Sequence, residues 1–484
     1  MKNIKKILWA MMPVAAALML ASCSSDDDQF AAPQSANTIP YTVSVSEGGT
    51  RAAFADGTYT GLVFAAGDKL YINNADGTIY GTLTMQSGSG TSSATFSGEL
   101  SYTGAAPTAE TALTATLLSA DNEVVQIGTD HVAAPQYGGI CTNLAQAVSK
   151  YSYLSGAGTF GGAAFALSQG TAFLNFNVTL NDGEAGSKTV AVKNGGASIA
   201  SGTVSGTGSV SFVAPVAVGT TLNDACVYVE GWKPSDSFGS SLTAALTAKV
   251  YNITKTVDKA AVPAGVQWID LGIVVNEKQV LFADRNVGAT SQTGYGDYFR
   301  WCVIKPCTTA DPFDWANCPY SNGAANKLTK YVPETKASYG YNGFYDNKTV
   351  LDPEDDPAHA QWGNDAYLPT MEEWNALLTA YPYSTTTGSK RRNLVDLGGT
   401  VGLCLIFYAA DNTELLKLPA AGHYIETGGG LNNSRGYGFY WSSSLGNYPW
   451  DGACLYLGNT VTNKAMKSDY YRYYGQSVRA VKRI

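Results

Sequence analysis

Short runs of alternating apolar and polar residues make up most of this chain, and turns rich in glycine, asparagine and aspartate separate them. The run over residues 172–180 places its apolar side chains on one face, with Asn175 and Asn177 on the other. A strand with one buried and one solvated face is typical of a sheet that packs on a core. Between residues 70 and 85, two alternating runs flank an Asp-Gly turn, which predicts a β-hairpin. The pattern therefore predicts a mainly β protein.

The same pattern divides the chain into three folded units. Residues 37–150 and 151–262 are predicted to form two β-sandwich units. A weak Pro-Ala-Gly boundary precedes a third unit over residues 263–484, where the aromatic and acidic content rises. In that unit Thr370 and Glu373 have the spacing of a capping box ahead of an apolar helical face. We therefore expect the third unit to combine strands with at least one helix.

The N-terminal residues have the features of an export signal. Residues 1–22 combine three early lysines with an apolar run, which predicts a bacterial signal peptide. The Leu-Ala-Ser-Cys sequence at its end resembles the lipobox of bacterial lipoproteins and implies lipidation at Cys23. Residues 23–36 resemble the acidic tether that carries Bacteroidota lipoproteins to the cell surface. We expect a surface-exposed protein with a lipid anchor in the outer membrane; an ordinary secretory signal, a short anchor and a plain solvated linker are the alternatives.

The composition excludes several classes of function. The formal net charge is −8 at pH 7 and no basic block is present, so no nucleic-acid partner is expected. A hydrophobic content of 45% excludes a disordered chain. No GxSxG or HExxH motif occurs, and the few histidines are far apart in the sequence. We therefore expect no catalytic residues, no cofactor and no metal. The histidines are His131, His359 and His423.

The cysteines give no metal or redox motif. Besides Cys23 there are seven, an odd number, and none of them forms a CxxC pair. In an exported chain one disulfide could join two of Cys302, Cys307 and Cys318, and the sequence does not choose the pair. Most of the others are expected to be small buried hydrophobic residues.

Two further motifs have ordinary interpretations. Residues 352–356 carry four carboxylates that a Ca²⁺ ion could use, but they lack EF-hand spacing and lie among prolines. We expect this run to be an exposed, solvated loop. Glycines 156, 158 and 161 match G-x-G-x-x-G without the strand–helix frame that nucleotide binding needs, so this segment is interpreted as a loop.

Three features of the first two units occur together: the lipobox at Cys23, a Gly-Thr-Arg-Ala-Ala segment at residues 49–53, and an Ala-Gly-Asp-Lys-Leu-Tyr-Ile segment at residues 66–72 before a hairpin. With them, residues 37–260 resemble the fimbrillin family, the β-sandwich pilins of Bacteroidota. The resemblance implies cleavage after Arg51 by an arginine-specific protease and assembly with pilin subunits by donor-strand exchange. A plain Arg-Ala dipeptide in a loop is the alternative.

The third unit carries five ordered motifs, at residues 267–272, 284–290, 296–301, 362–370 and 440–444. With them, residues 267–484 resemble the major-paralogue (FISUMP) domain family, which implies a C-type-lectin-like fold. Formylglycine-generating enzymes use a related fold and need a pair of cysteines near the C-terminus. Only Cys454 stands there in this chain, so the resemblance carries over no catalysis.

Eight tyrosines and two tryptophans lie between residues 437 and 474. Rigid amphipathic rings among Ser, Gly and Asn are typical of recognition surfaces. Within a strand, adjacent tyrosines in residues 470–474 would point to opposite faces, so they cannot all be core. The alternative is that tyrosines simply suit half-buried strands. Tyr440 and Trp441 are expected in the core. The predicted ligand contacts are Asn447, Tyr448, Trp450, Asp451, Tyr456, Asn459, Asp469, Tyr470, Tyr471, Tyr473 and Tyr474.

Together these patterns predict a surface-exposed adhesin, a pilus (fimbrial) tip or tip-associated subunit that binds its ligand through the third unit. The ligand is open and could be a host molecule, a bacterial molecule or a glycan. The alternative is a cell-surface glycan-binding lipoprotein that does not polymerise.

Overall fold

The computed structural model describes residues 37–484 with several gaps. The gaps are residues 48–52, 56–57, 61–63, 65, 119–123, 126–133, 136, 163, 239–241, 243, 364, 427, 429 and 460–463. The predicted signal peptide and tether, the predicted sites at Cys23 and Arg51, and His131 lie outside the described residues.

Strands account for 46% of the structure and helices for 9%, so the predicted mainly β fold is confirmed. The strands are β1 (Asn37–Glu47), β2 (Ala53–Ala55), β3 (Thr58–Thr60), β4 (Lys69–Asn73), β5 (Ile79–Ser87), β6 (Ser93–Tyr102), β7 (Ala112–Leu118), β8 (Val124–Val125), β9 (Ala134–Pro135), β10 (Tyr153–Thr159), β11 (Ala164–Gln169), β12 (Thr171–Leu180), β13 (Gly186–Asn194), β14 (Ala197–Gly206), β15 (Ser209–Ala217), β16 (Cys226–Val229), β17 (Val250–Val257), β18 (Trp268–Val275), β19 (Lys278–Ala283), β20 (Tyr298–Arg300), β21 (Arg391–Asp396), β22 (Leu403–Tyr408), β23 (Glu414–Pro419), β24 (Tyr437–Leu445), β25 (Asp451–Gly458), β26 (Ala465–Tyr471), β27 (Gly475–Ser477) and β28 (Val481–Arg483). The α-helices are α1 (Leu144–Tyr151), α2 (Pro357–Trp362) and α3 (Met371–Ala380), and short 3₁₀ helices span Glu334–Tyr339, Tyr341–Gly343 and Pro353–Asp355.

The first unit is a closed seven-stranded barrel in the order β1-β11-β10-β7-β4-β5-β6. The sheet closes because β1 pairs with two neighbours, antiparallel with β6 and parallel with β11. Closure satisfies the backbone groups that an open sheet would leave at its edges. The sequence pattern predicts two packed sheets here, whereas the observed strand pairing joins all seven strands into one ring.

The strand pairing also extends the first unit beyond the predicted boundary at residues 150/151. β10 pairs with β7 over its whole length, and β11 pairs with β10 and β1. The glycine-rich segment at residues 156–161 is therefore largely strand rather than the expected loop. Glycine is needed at Gly156 because the neighbouring strand β11 approaches closely: a Cβ there would lie 2.1 Å from the carbonyl oxygen of Ala166.

The second unit packs the sheet β15-β12-β17 against the sheet β14-β13-β16 around one core. The alternating face of β12 is buried as predicted, and Phe176 stacks on Phe212 with ring centroids 4.8 Å apart. The first residues of β12 are buried on both faces because α1 covers Phe173. This unit therefore has the sandwich arrangement that the pattern predicts.

The third unit contains the sheets β18-β19-β28, β21-β22-β23 and β20-β27-β24-β25-β26. Helix α3 packs Trp374 and Leu377 against the apolar side chains of these sheets. The predicted capping box is present: the Thr370 hydroxyl accepts from the Glu373 amide, and the Glu373 carboxylate accepts from the Thr370 amide. None of the helices in the described part of the chain is long and apolar enough to cross a membrane.

Candidate functional site

The turn between β24 and β25 carries a group of aromatic rings at the end of the five-stranded sheet. The rings of Tyr448 and Trp450 stack in parallel with centroids 4.7 Å apart. Tyr339 meets the Trp450 ring edge-on at 4.6 Å, and Lys336 Nζ lies 5.0 Å from the centre of the Tyr448 ring. We call these four residues the tip cluster. Tyr448 is 43% exposed, so the cluster presents an aromatic surface to solvent.

A second group lies at the end of the edge strand β26. Tyr471, Tyr473 and Tyr474 are in mutual ring contact, with Tyr471 and Tyr473 centroids 5.3 Å apart. Trp315 packs edge-on against Tyr473 at 5.1 Å and also contacts Tyr471. We call these four residues the edge cluster. Alternation across a strand does not hold here because β26 ends at Tyr471 and the next residues form a turn.

Tyr456 and Tyr470 belong to a third group beneath the edge cluster. Both rings contact Phe439, each at a centroid distance of 5.2 Å. His423 lies 3.9 Å from the Phe439 ring, and burial lowers the pKa of this histidine to about 4. We call these four residues the inner cluster. Tyr470 joins it to the edge cluster through Tyr474, at 6.1 Å.

The framework residues Tyr440 and Trp441 are fully buried, which confirms their predicted place in the core. The Tyr440 hydroxyl donates to the carbonyl of Pro419 at 2.6 Å, and Trp441 Nε1 donates to the carbonyl of Phe299 at 2.7 Å. Between the tyrosines, Arg472 is also fully buried, and its guanidinium lies 4.9 Å from the Trp301 ring. The aromatic clusters are therefore supported by buried side chains, two of which are held by hydrogen bonds to the backbone.

The four predicted polar contacts do not all lie together. Asn447 is exposed beside the tip cluster, and its backbone N–H donates to Asp469 Oδ2 at 3.3 Å. Asp451 follows the turn but is only 9% exposed. Asn459 follows the opposite end of β25, roughly 25 Å from the turn at the usual rise of a strand. The structure thus brings three of the four near the tip cluster and leaves Asn459 at the far end.

The carboxyl group of Asp451 has an altered titration. Burial, followed by the nearby charge of Asp469, raises its pKa from 3.8 to about 6. One oxygen of Asp469 is buried without a hydrogen-bond partner in the described structure. Burial disfavours the charged form of the Asp451 carboxyl, and the like charge of Asp469 disfavours it further.

Sequence reasoning missed the partners of these aromatic residues. Trp315, Lys336 and Tyr339 come from a segment more than a hundred residues earlier in the chain. A sequence signal was present, because residues 338–346 repeat the same combination of tyrosine, glycine and asparagine. Tyr341, Phe344 and Tyr345 in that segment are exposed.

The acidic run at residues 352–356 is not the solvated loop that the sequence predicts. Asp355 is fully buried and lies at the junction of the second and third units, 2.5 Å from Lys193 Nζ of β13. Lys330 Nζ lies 2.7 Å from the other carboxylate oxygen, and the hydroxyls of Tyr320 and Tyr331 donate to the same carboxylate. Burial alone would raise the pKa of Asp355, but the two lysines hold it below its ordinary value. We call these five residues the junction lock.

The remaining carboxylates of this run also have protein partners. Asp356 caps α2, and its two oxygens accept backbone hydrogen bonds from Ala358, His359 and Leu368. Asp352 and Glu354 could form a cation site with Asp355, but Lys330 Nζ lies within 3.1 Å of all three carboxylates. An ammonium group therefore occupies the position that a cation would take.

Six described cysteines are free and buried: Cys226, Cys302, Cys307, Cys318, Cys404 and Cys454. Burial raises the pKa of the Cys226 thiol to about 11 and that of the Cys404 thiol to about 12. Thiols with raised pKa values are poor nucleophiles, so these side chains serve packing.

No protein-family model matches the sequence, and no curated protein is significantly similar to it. Several solved structures are similar to part of the chain, and three of them follow. A candidate cell adhesion protein from Bacteroides uniformis is 12% identical, with 46% of this chain and 93% of that chain covered and a TM-score of 0.23. A fimbrial assembly protein from Parabacteroides distasonis is 9% identical, with 45% and 90% covered and a TM-score of 0.23. The tip fimbrial protein Mfa3 from Porphyromonas gingivalis is 8% identical, with 50% and 86% covered and a TM-score of 0.18. All three TM-scores are low, so the description of the fold rests on the strand pairing itself.

Proposed function

We propose that this chain is a surface-exposed adhesin, a fimbrial tip or tip-associated subunit. In this proposal a neighbouring pilin subunit supplies a strand to the first unit, and the aromatic clusters of the third unit bind the ligand. A lipid on Cys23 would hold the precursor in the outer membrane.

The observation that carries the proposal is the place of β1 in the barrel. β1 is the strand that closes the ring, and it fills the space between β6 and β11. Its residues Tyr41, Val43 and Val45 are buried in the barrel core. Loss of β1 would open two unpaired strand edges beside an apolar groove, and a strand from another subunit can satisfy both. Arg51 follows β1 by four residues in the sequence, where cleavage would release that strand.

Digestion of the full chain with an arginine-specific protease tests this proposal. We expect the first cut to fall after Arg51. Once the cleaved strand has been displaced, a synthetic peptide of residues 37–47 should bind to the first unit in its place. Intact mass and N-terminal sequencing locate the cut, and the same mass spectra of the membrane precursor report a lipid on Cys23.

Two controls test whether the cut depends on the arginine and whether peptide binding depends on the apolar residues of β1. Arg51→Lys should resist the arginine-specific protease yet remain sensitive to trypsin, which cuts at both residues. A peptide in which Val43 and Val45 are replaced by Asp should not bind. Assembled fibres whose subunits still carry residues 37–51 would contradict strand exchange. A mature chain that forms no fibres would favour the glycan-binding lipoprotein that does not polymerise.

A further inference from the structure

A cleft between the second and third units offers a binding site separate from the aromatic clusters. One wall is the β13–β14 hairpin end at residues 194–199 with Asn223, and the other is residues 316–323 with Thr329. Its volume is about 610 Å³. Ligand pockets are commonly of this size and lie preferentially between domains.

The two walls are held in a fixed relation. Gly195 and Gly196 both have positive φ, +59° and +95°, as the tight two-residue hairpin turn requires. A Cβ on Gly196 would lie 2.8 Å from Pro319 Cγ, so the hairpin end and the opposite wall are in close contact. The Ser198 amide donates to the Tyr320 hydroxyl at 3.0 Å, and that hydroxyl belongs to the junction lock. A site with fixed walls loses little conformational entropy when a ligand binds.

The lining combines polar and apolar side chains and carries no formal charge among the described residues. The lining includes four residues with amide side chains and three with aliphatic hydroxyl groups, of which Asn194, Asn317 and Ser321 already form hydrogen bonds within the protein. The seven residues are Asn194, Asn223, Asn317, Asn322, Ser198, Ser321 and Thr329. Amides and hydroxyls can donate and accept hydrogen bonds, as the hydroxyl groups of a sugar do. Asp224, the sequence neighbour of Asn223, pairs with Lys305 at 2.7 Å, and Asp314 accepts a hydrogen bond from the Asn317 side chain at 2.8 Å.

Several of these polar groups have capacity for a ligand. The side chains of Asn223 and Asn322 are exposed and make no hydrogen bond within the described structure. The Ser198 hydroxyl is buried and also without a partner there. Ile199 and Pro319 add an apolar strip on which the C–H face of a sugar ring can pack. We propose that this cleft binds a neutral oligosaccharide.

Isothermal titration calorimetry on the full chain tests the proposal. The probes are maltotriose, cellotriose, mannotriose and N-acetylchitotriose, with trigalacturonic acid as an anionic comparison. We expect at least one neutral trisaccharide to bind and the anionic one not to bind. Asn223→Leu together with Asn322→Leu should weaken binding about tenfold, because two hydrogen-bonding groups are lost.

Asn326→Leu is the matched control, since Asn326 is an exposed amide of the same loop outside the cleft. It should leave the affinity unchanged. The proposal is overturned if none of the four neutral probes binds, if trigalacturonic acid binds more tightly, or if the Asn223/Asn322 variant retains full affinity. Binding that is lost only in Tyr471→Ala would place the sugar on the edge cluster, which overturns the cleft site and leaves the proposed adhesin function standing.

Discussion

The carboxyl group of Asp451 lies where its ionisation costs stability. A pKa of about 6, raised from 3.8 by burial and by Asp469, means that the folded state prefers the neutral acid. The penalty is absent below about pH 3.8, grows as the pH rises to 6, and stays constant above that value. Asp451→Asn should therefore raise the free energy of unfolding by roughly 1–2 kcal/mol at pH 7.5 and change it little near pH 4.

Urea unfolding at both pH values measures this effect. Asp270→Asn is the control of opposite sign, because hydrogen bonds from the Gly272 amide and the Gln279 side chain lower the pKa of Asp270. It should destabilise the protein at pH 7.5. An Asp451→Asn variant that is less stable than wild type at pH 7.5 would contradict the assignment.

Replacing an exposed tyrosine should change ligand binding, whereas replacing a buried tyrosine should change stability. Tyr448→Ala and Tyr471→Ala, at 43% and 41% exposure, should leave the melting temperature nearly unchanged. If they contact the ligand, each should reduce binding by about 2 kcal/mol, as central aromatic contacts do. Tyr440→Ala should instead cost about 3–5 kcal/mol of stability, because it leaves a cavity.

Adhesion of beads coated with the full chain to cultured epithelial cells, together with thermal unfolding, separates these outcomes. Full adhesion by both exposed variants in a stably folded protein would remove the recognition role from the tip and edge clusters.

Composition could identify the tyrosines but not their neighbours. The run between residues 437 and 474 stands out in the sequence, and its rings do gather. Their packing partners Trp315 and Tyr339 could not be predicted, because no periodicity relates residues so far apart in the chain. The turn after Tyr471 was also missed, because adjacent tyrosines favour a continued strand.

At the scale of elements, sequence patterns between neighbouring residues predicted the structure correctly. The capping box of α3 involves residues three apart and follows from the sequence alone. The closure of the barrel by β1 could not be predicted, because the parallel pairing of β1 with β11 joins residues more than a hundred positions apart.

The cap gives an element-scale prediction. Thr370→Ala should lower the free energy of unfolding by about 1 kcal/mol, because the Glu373 amide loses its acceptor. Thr370→Ser keeps the hydroxyl and should stay near wild type. Chemical denaturation compares the two; equal stability of the Ala and Ser variants would show that the cap contributes nothing.

At the scale of the whole molecule, the junction lock should dominate the response to charge removal. Asp355→Asn leaves Lys193 with no countercharge in a buried place, while Lys330 keeps Asp352 and Glu354, so we expect a loss of about 3–5 kcal/mol. Lys193→Met should cost less, because Asp355 keeps Lys330 and two tyrosine hydroxyls.

Lys259→Met is the matched control, since its pair with Glu184 is exposed and should contribute less than about 1 kcal/mol. Urea unfolding ranks the three variants. If Asp355→Asn is no more destabilising than Lys259→Met, the buried pair does not hold the two units together.

The junction lock also shows why residues 352–356 are not the exposed loop that their sequence predicts. A cluster of carboxylates near prolines favours solvent exposure when only neighbouring residues are considered. Its partner Lys193 lies 162 residues earlier in the chain. Only the packing of the second unit on the third unit brings that charge to Asp355.

In the proposed function the molecule would be under tension, with its ligand pulling one end and its fibre holding the other. The chain passes from the second to the third unit along residues 258–267, so a load on that connection alone would peel β17, which has one partner in its sheet. Lys193 instead stands on β13, which is flanked by β14 and β16. The ion pair between Lys193 and Asp355 therefore passes part of the load to β13, which is hydrogen-bonded on both sides. We expect the two units to separate at a higher force than they would if only the connecting peptide joined them.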